Sequence, residues 1–199
     1  MRFMPLLAML VLVGCAHANP ATPPASPAHA LAHDAHLLVD ACVAADWERA
    51  LNAADIVRTD EARVRGLVAA PALLGMVDDA LPLTESAAGR RARRSCQGAA
   101  AAVALAASKM DADDREELTG WLRRINADAQ YRDFDAARRD VAMADGAWAR
   151  VRPHVDDDTV ATVDAAIAAT HGSVLSHAAR PMRHAAHAAL NALHQASTR

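Results

Sequence analysis

Alanine is the residue that most constrains this chain. It recurs along the whole sequence, including the run Ala99 to Ala102, while aromatics make up only 3% of residues. Val, Ile, Thr and Tyr nowhere alternate over a length that would make a half-buried strand. Alanine has the highest helix propensity, and its small side chain lets helices approach closely. The chain is therefore predicted to be all-α, a helical bundle of about five to six helices.

Capping residues and prolines place the elements. A first helix is expected over 28–45. Asp46 suits the N-cap of a second, running from Trp47 to about Ala69 and stopped by Pro71. A short helix over 73–80 is expected to end before Pro82, with Thr84 capping a longer one to Met110. Asp111, Asp113 and Asp114 favour the positive end of a helix reaching about Gln130.

Over 133–152, Phe134, Ala137, Val141, Ala144, Trp148 and Val151 share one face, while Asp135, Arg139 and Arg150 lie opposite. Pro153 ends that segment. Asp156 to Asp158 begin a last helical stretch that carries Val160, Val163, Ile167, Val174, Ala178 and Met182 inward and is kinked or broken at Pro181. The sequence also echoes itself. Asp46-Trp47-Glu48 and Ala62-Arg63-Val64-Arg65 recur in step as Asp133-Phe134-Asp135 and Ala149-Arg150-Val151-Arg152, which suggests a duplicated helical hairpin.

The chain starts with an apolar run behind Arg2, too short to span a bilayer and ending in Leu12-Val13-Gly14-Cys15. This motif resembles the lipobox of bacterial lipoproteins. The resemblance covers only the leader, and it implies a signal peptide over 1–14, acylation of Cys15, and, because Ala16 rather than Asp follows, the outer membrane facing the periplasm. Ala16-His17-Ala18 is also a small-x-small cleavage site, and cutting there would release a soluble periplasmic protein. Pro20, Pro23, Pro24 and Pro27 make 15–27 a stiff tether, leaving 28–199 as one helical-bundle domain.

An exported chain meets an oxidising compartment, so the two remaining cysteines, Cys42 and Cys96, are expected to pair. Helical spacing turns both inward: Cys42 shares a face with Leu31 and Leu38, and Cys96 with Val103 and Met110. Closing so long a loop stabilises a domain by roughly 3–4 kcal/mol.

Histidine is the residue type that could carry chemistry. His29, His33, His36 and Asp40 lie along one stripe of the first helix, and His177, His184, His187 and His194 along one arc of the last. An imidazole pair one turn apart can chelate a divalent transition metal such as Zn²⁺, Cu²⁺ or Ni²⁺. Both arcs lie opposite apolar stripes, those of Leu31 and Leu38 and of Leu175, Met182, Ala189 and Leu193, so these histidines are expected to face water. His171 instead falls on an inward stripe. With Met110 and Met182 it has the residue types of a haem bundle, although no motif supports one and no Cys-x-x-Cys-His is present.

Arg90, Arg91, Arg93 and Arg94 form the densest basic run, suited to anionic headgroups, an acidic partner or simply a solvated face. A formal charge of −3 with both signs interspersed leaves no footprint for nucleic acid. No serine-nucleophile elbow, zinc-protease helix, phosphate loop or dinucleotide fingerprint occurs, so no catalytic residue and no cofactor is assigned. The expected function is a non-enzymatic lipoprotein binding a protein or other envelope component, as an inhibitor, immunity protein, adaptor or assembly factor. The alternative is a periplasmic metal-binding or metal-sensing protein.

Overall fold

A computed structural model describes residues 26–67, 69–111 and 113–197. The leader, Cys15 and all but the end of the tether lie outside them. The described residues form eight helices and no strand: α1 (Pro27–Ala44), α2 (Trp47–Arg65), α3 (Pro71–Gly89), α4 (Arg93–Asp111), α5 (Asp114–Tyr131), α6 (Phe134–Val151), α7 (Asp157–Leu175) and α8 (Ala179–Ser197). A short 3-10 turn, Arg152–His154, follows α6. The protein is an all-α helical bundle with one disulfide, Cys42–Cys96. Among the described residues no helix is long and apolar enough to cross a membrane.

Eight helices replace the expected five to six: four of the breaks fall at left-handed residues, Ala45, Arg91, Arg132 and His177, and neither Pro82 nor Pro181 makes one. Pro82 lies inside α3, and the break comes later, at Arg91 with φ 55°. A mid-helix proline costs about 3 kcal/mol. Here Leu74, Val77, Ala80, Leu81, Thr84, Ala87 and Ala88 form one buried face across it, and their burial outweighs that cost. Thr84 caps nothing; its hydroxyl donates to the Ala80 carbonyl at 2.9 Å. Pro181 likewise sits in the first turn of α8, where its missing N–H has no intrahelical duty, and the break precedes it at His177, φ 53°.

The eight helices are one four-helix plan used twice. Helices α1 to α4 begin at residues 27, 47, 71 and 93, and α5 to α8 begin at 114, 134, 157 and 179, offsets of 87, 87, 86 and 86. The left-handed residues recur in step, Ala45 with Arg132 and Arg91 with His177. Asp46 and Asp133 both cap the second helix of their unit, accepting from Arg49 N at 3.1 Å and Ala136 N at 2.9 Å. Thr170 repeats the bond of Thr84, donating to the Ala166 carbonyl at 2.8 Å. The sequence echo is therefore present in the structure, but its unit is four helices rather than a hairpin.

In each unit the first helix packs on the second and the fourth, and the third packs on the fourth. Two apolar cores result. One gathers Leu31, Leu38, Val57, Val77 and Val103 around the disulfide. The other gathers Leu118, Leu122, Ile125, Trp148, Val163, Met182 and Leu193. The units join along α4 and α5, where Gly120 lets the helices close: a Cβ there would sit 3.1 Å from Leu105 Cα.

Candidate functional site

The joint leaves a cleft of about 460 Å³ between α1, α5 and α8, to which both units contribute histidines. From α1 come His33, His36 and Asp40; α5 supplies Glu116, Arg123 and Asn126; α8 supplies His187, Asn191 and His194. Leu37, Val39, Val43 and Leu190 make the apolar part of its lining. Part of each histidine stripe thus reaches one place, because α5 lies between the first and last helices and holds both beside it.

His36 departs from the expected solvated arc, whose other cleft members His33, His187 and His194 are exposed. It is only 7% exposed, because Ser108 of α4 and Glu116 of α5 close over it. Its Nε2 lies 2.9 Å from Glu116 Oε2 and 3.2 Å from Ser108 Oγ. Ser108 donates its own hydroxyl proton to the Ala104 carbonyl at 2.7 Å, so the ring N–H is directed to Glu116. Burial holds the His36 pKa below the ordinary histidine value, against the pull of Glu116, and the bond from His36 holds Glu116 below the usual carboxylate range. The pair is a neutral imidazole donating to an ionised carboxylate.

Ser108, His36 and Glu116 have the residue types of a hydrolytic triad but not its wiring. Serine and carboxylate meet the same ring nitrogen, and the serine is fully buried with its proton spent on the backbone. A triad requires the base to hold the two on opposite nitrogens. The other nitrogen, His36 Nδ1, is buried with no hydrogen-bond partner, as are Arg123 Nε and Asn126 Oδ1 in the same cleft wall. Arg123 spends its other nitrogens on Asp40, at 2.5 and 3.4 Å.

The remaining predicted residues are dispersed. His29 leaves the stripe to bond Asp111 at 2.9 Å, which raises its pKa. His177 stacks on Phe134, ring centroids 4.8 Å apart, and closes the turn before α8. His184 is exposed and lies outside the cleft lining. His187 lines the cleft, and burial followed by the charge of Arg183 lowers its pKa. Among the described residues no three His, Cys, Asp or Glu side chains stand together as a metal ion would require.

Two further corrections concern apolar stripes. His171 faces solvent and bonds Asp145 at 2.9 Å, so no axial ligand points into the core beside Met182. Leu175, placed on the inward stripe of α8, is 75% exposed because the chain breaks between it and Met182. A single helix through both would have kept them in phase.

Sequence reading missed the α5 contribution. Glu116 and Arg123 are seven residues apart, hence on one face, and that spacing alongside Leu118, Leu122 and Ile125 was the available signal. It also missed a buried carboxyl pair, Asp128 on α5 and Asp140 on α6. Burial and the neighbouring Asp140 push Asp128 up to about 8, so the pair retains a proton at neutral pH. No family model, curated protein or solved structure matches this chain, so its function is read from its own residues.

Proposed function

We propose that this protein is a non-enzymatic lipoprotein of the bacterial envelope, held at the outer membrane through Cys15 and facing the periplasm. It uses the cleft between its two four-helix units to bind a protein or another envelope component. The observation that supports this reading is the cleft itself, a concavity of about 460 Å³ where apolar Leu37, Val43 and Leu190 lie beside the polar and charged Arg123, His187 and Asn191. A wall that mixes apolar area with directional polar groups suits a partner segment that buries side chains on the first and hydrogen-bonds to the second. Amphipathic helices supply a rigid wall, and a lipid with a stiff proline tether concentrates it at one membrane.

The test is a photo-crosslinking residue placed at Asn191, in the cleft, and separately at Arg139, exposed on α6. A defined adduct formed in the intact envelope from Asn191 alone is the expected result. Identical adducts from both positions, or none from Asn191, refute the cleft as the binding surface. A second reading, a divalent transition-metal site, draws on His33, His187 and His194 sharing that cleft. It requires Zn²⁺ affinity well above that of a generic surface imidazole pair, lost in H33A/H187A; equal affinity in that variant ends it.

A further inference from the structure

The basic run at the start of α4 is only part of a larger arrangement. Arg93 and Arg94 in the first turn of α4, Arg132 in the turn after α5, and Arg180 and Arg183 at the start of α8 surround one concavity of about 390 Å³. Three separate chain segments therefore bring five exposed arginines to the lining of one concavity, and no Asp or Glu is among its lining residues.

These arginines differ from most others in the protein. Arg58, Arg63, Arg65, Arg123, Arg124, Arg150 and Arg152 each hold a carboxylate. Among the described residues, none of the five around the concavity forms an ion pair, although the chain as a whole carries more acids than bases. Asp133, next to Arg132, is committed to capping α6 at 2.9 Å. The concavity also meets the amino-terminal turns of α4 and α8, whose dipoles add positive potential, against the negative carboxyl-terminal turn of α5 at Ala129 and Gln130, which the arginines outweigh in formal charge.

The walls are held in place. The Tyr131 hydroxyl donates to the Arg94 carbonyl, and its ring lies over Gly98, where a Cβ would fall 2.8 Å from Tyr131 Cε2. This ties the start of α4 to the end of α5. The stacking of His177 on Phe134 ties the approach to α8 to the start of α6. Like charges assembled on a fixed frame without internal counter-charges form a receptor for an anion, and the planar guanidinium fork matches phosphate oxygens two at a time.

We propose that this concavity is a binding site for a ligand with concentrated phosphate charge, a phosphomonoester or pyrophosphate group, independent of the cleft between α1, α5 and α8. The group belongs either to a soluble phosphate ester or to a phosphorylated lipid headgroup.

The experiment titrates the full chain, in detergent, with inorganic pyrophosphate by calorimetry, beside R94A/R183A, R94K/R183K and R138A/R139A, an exposed pair on α6 outside the lining. One saturable site is expected, weakened at least about tenfold in R94A/R183A, partly restored by the lysines and unchanged in R138A/R139A. Melting curves report folding, and R132E, on the third wall, provides a second test should the double variant unfold. Sedimentation with vesicles containing phosphatidic acid, against phosphatidylglycerol at equal charge density, separates the sources. Selective capture by phosphatidic acid assigns a headgroup, and pyrophosphate binding without it assigns a soluble ester. No saturable binding of either probe, or equal loss in R138A/R139A, overturns the proposal.

Discussion

The two four-helix units share a frame and differ in what holds it. Cys42 and Cys96 bridge the first and fourth helices of the first unit, with Cα atoms 5.6 Å apart. At the matching positions, 87 and 86 residues on, the second unit has Ala129 and Met182, both buried. Its core takes in two buried indoles, Trp121 and Trp148, where the first has the partly buried Trp47 packed against it, and each of the two is tied at the edge by its N–H, to Glu117 at 3.2 Å and Asp164 at 2.7 Å. One fold plan thus tolerates either a covalent staple among small side chains or larger apolar volume without one. Helix lengths, caps and turn residues carry the plan, and the cores finish it differently.

Removing the staple should give the largest effect. C42A/C96A is expected to destabilise the first unit by about 4 kcal/mol, and urea unfolding should then split, with the tryptophans of the second unit unfolding at higher denaturant. A single coincident transition would mean that the joint at α4 and α5 couples the units into one cooperative body. M182A attacks the uncrosslinked counterpart. A buried Met to Ala change costs about 3 kcal/mol, and its loss should appear in tryptophan fluorescence.

The carboxyl pairs sharpen the comparison with pH. Each unit places one between its first two helices: Asp34 is raised by burial and Asp60, and Asp128, deeper, is raised to about 8 by burial and Asp140. A raised folded-state pKa means that the native state binds the proton more tightly. Its stabilisation is complete below the ordinary value of 3.8 and is lost as pH rises toward and through 8. Urea midpoints of the second unit should therefore fall between pH 5 and pH 9 by this contribution, and D128N should flatten the fall. An unchanged slope in D128N would show that Asp128 does not hold the proton.

The smallest effects test the repeat itself. D46A and D133A each remove the same cap from the second helix of a unit, and each should cost about 1 kcal/mol by thermal or urea unfolding. Unequal losses would show that the equivalence ends at backbone geometry.

Much of the frame was legible because it rests on local chemistry. Asp46, Asp133 and Asp156 each cap the helix their side chains could serve. Cys42 and Cys96 are the two cysteines outside the leader motif, and both face inward, as the observed disulfide requires. Pro82 misled because the gain from burying a continuous face of α3 exceeds the proline cost, and that gain depends on neighbours. His36 misled for the same reason: a helix has one apolar face by its own periodicity, but Ser108 of α4 and Glu116 of α5 close over this one position of the polar stripe, while His33 and Asp40 stay exposed.

Helix class, helix capping and the inward phase of each of Cys42 and Cys96 follow from composition and spacing within one segment. The sequence alone determines these because propensity and periodicity act over a few residues. The joining of the cleft histidines with Glu116 and Arg123, the dispersal of His29, His177 and His184, and the meeting of five arginines from three segments were decided only in three dimensions. Those juxtapositions arise where helices from different parts of the chain dock, and docking is set by the summed burial of whole faces rather than by any local pattern.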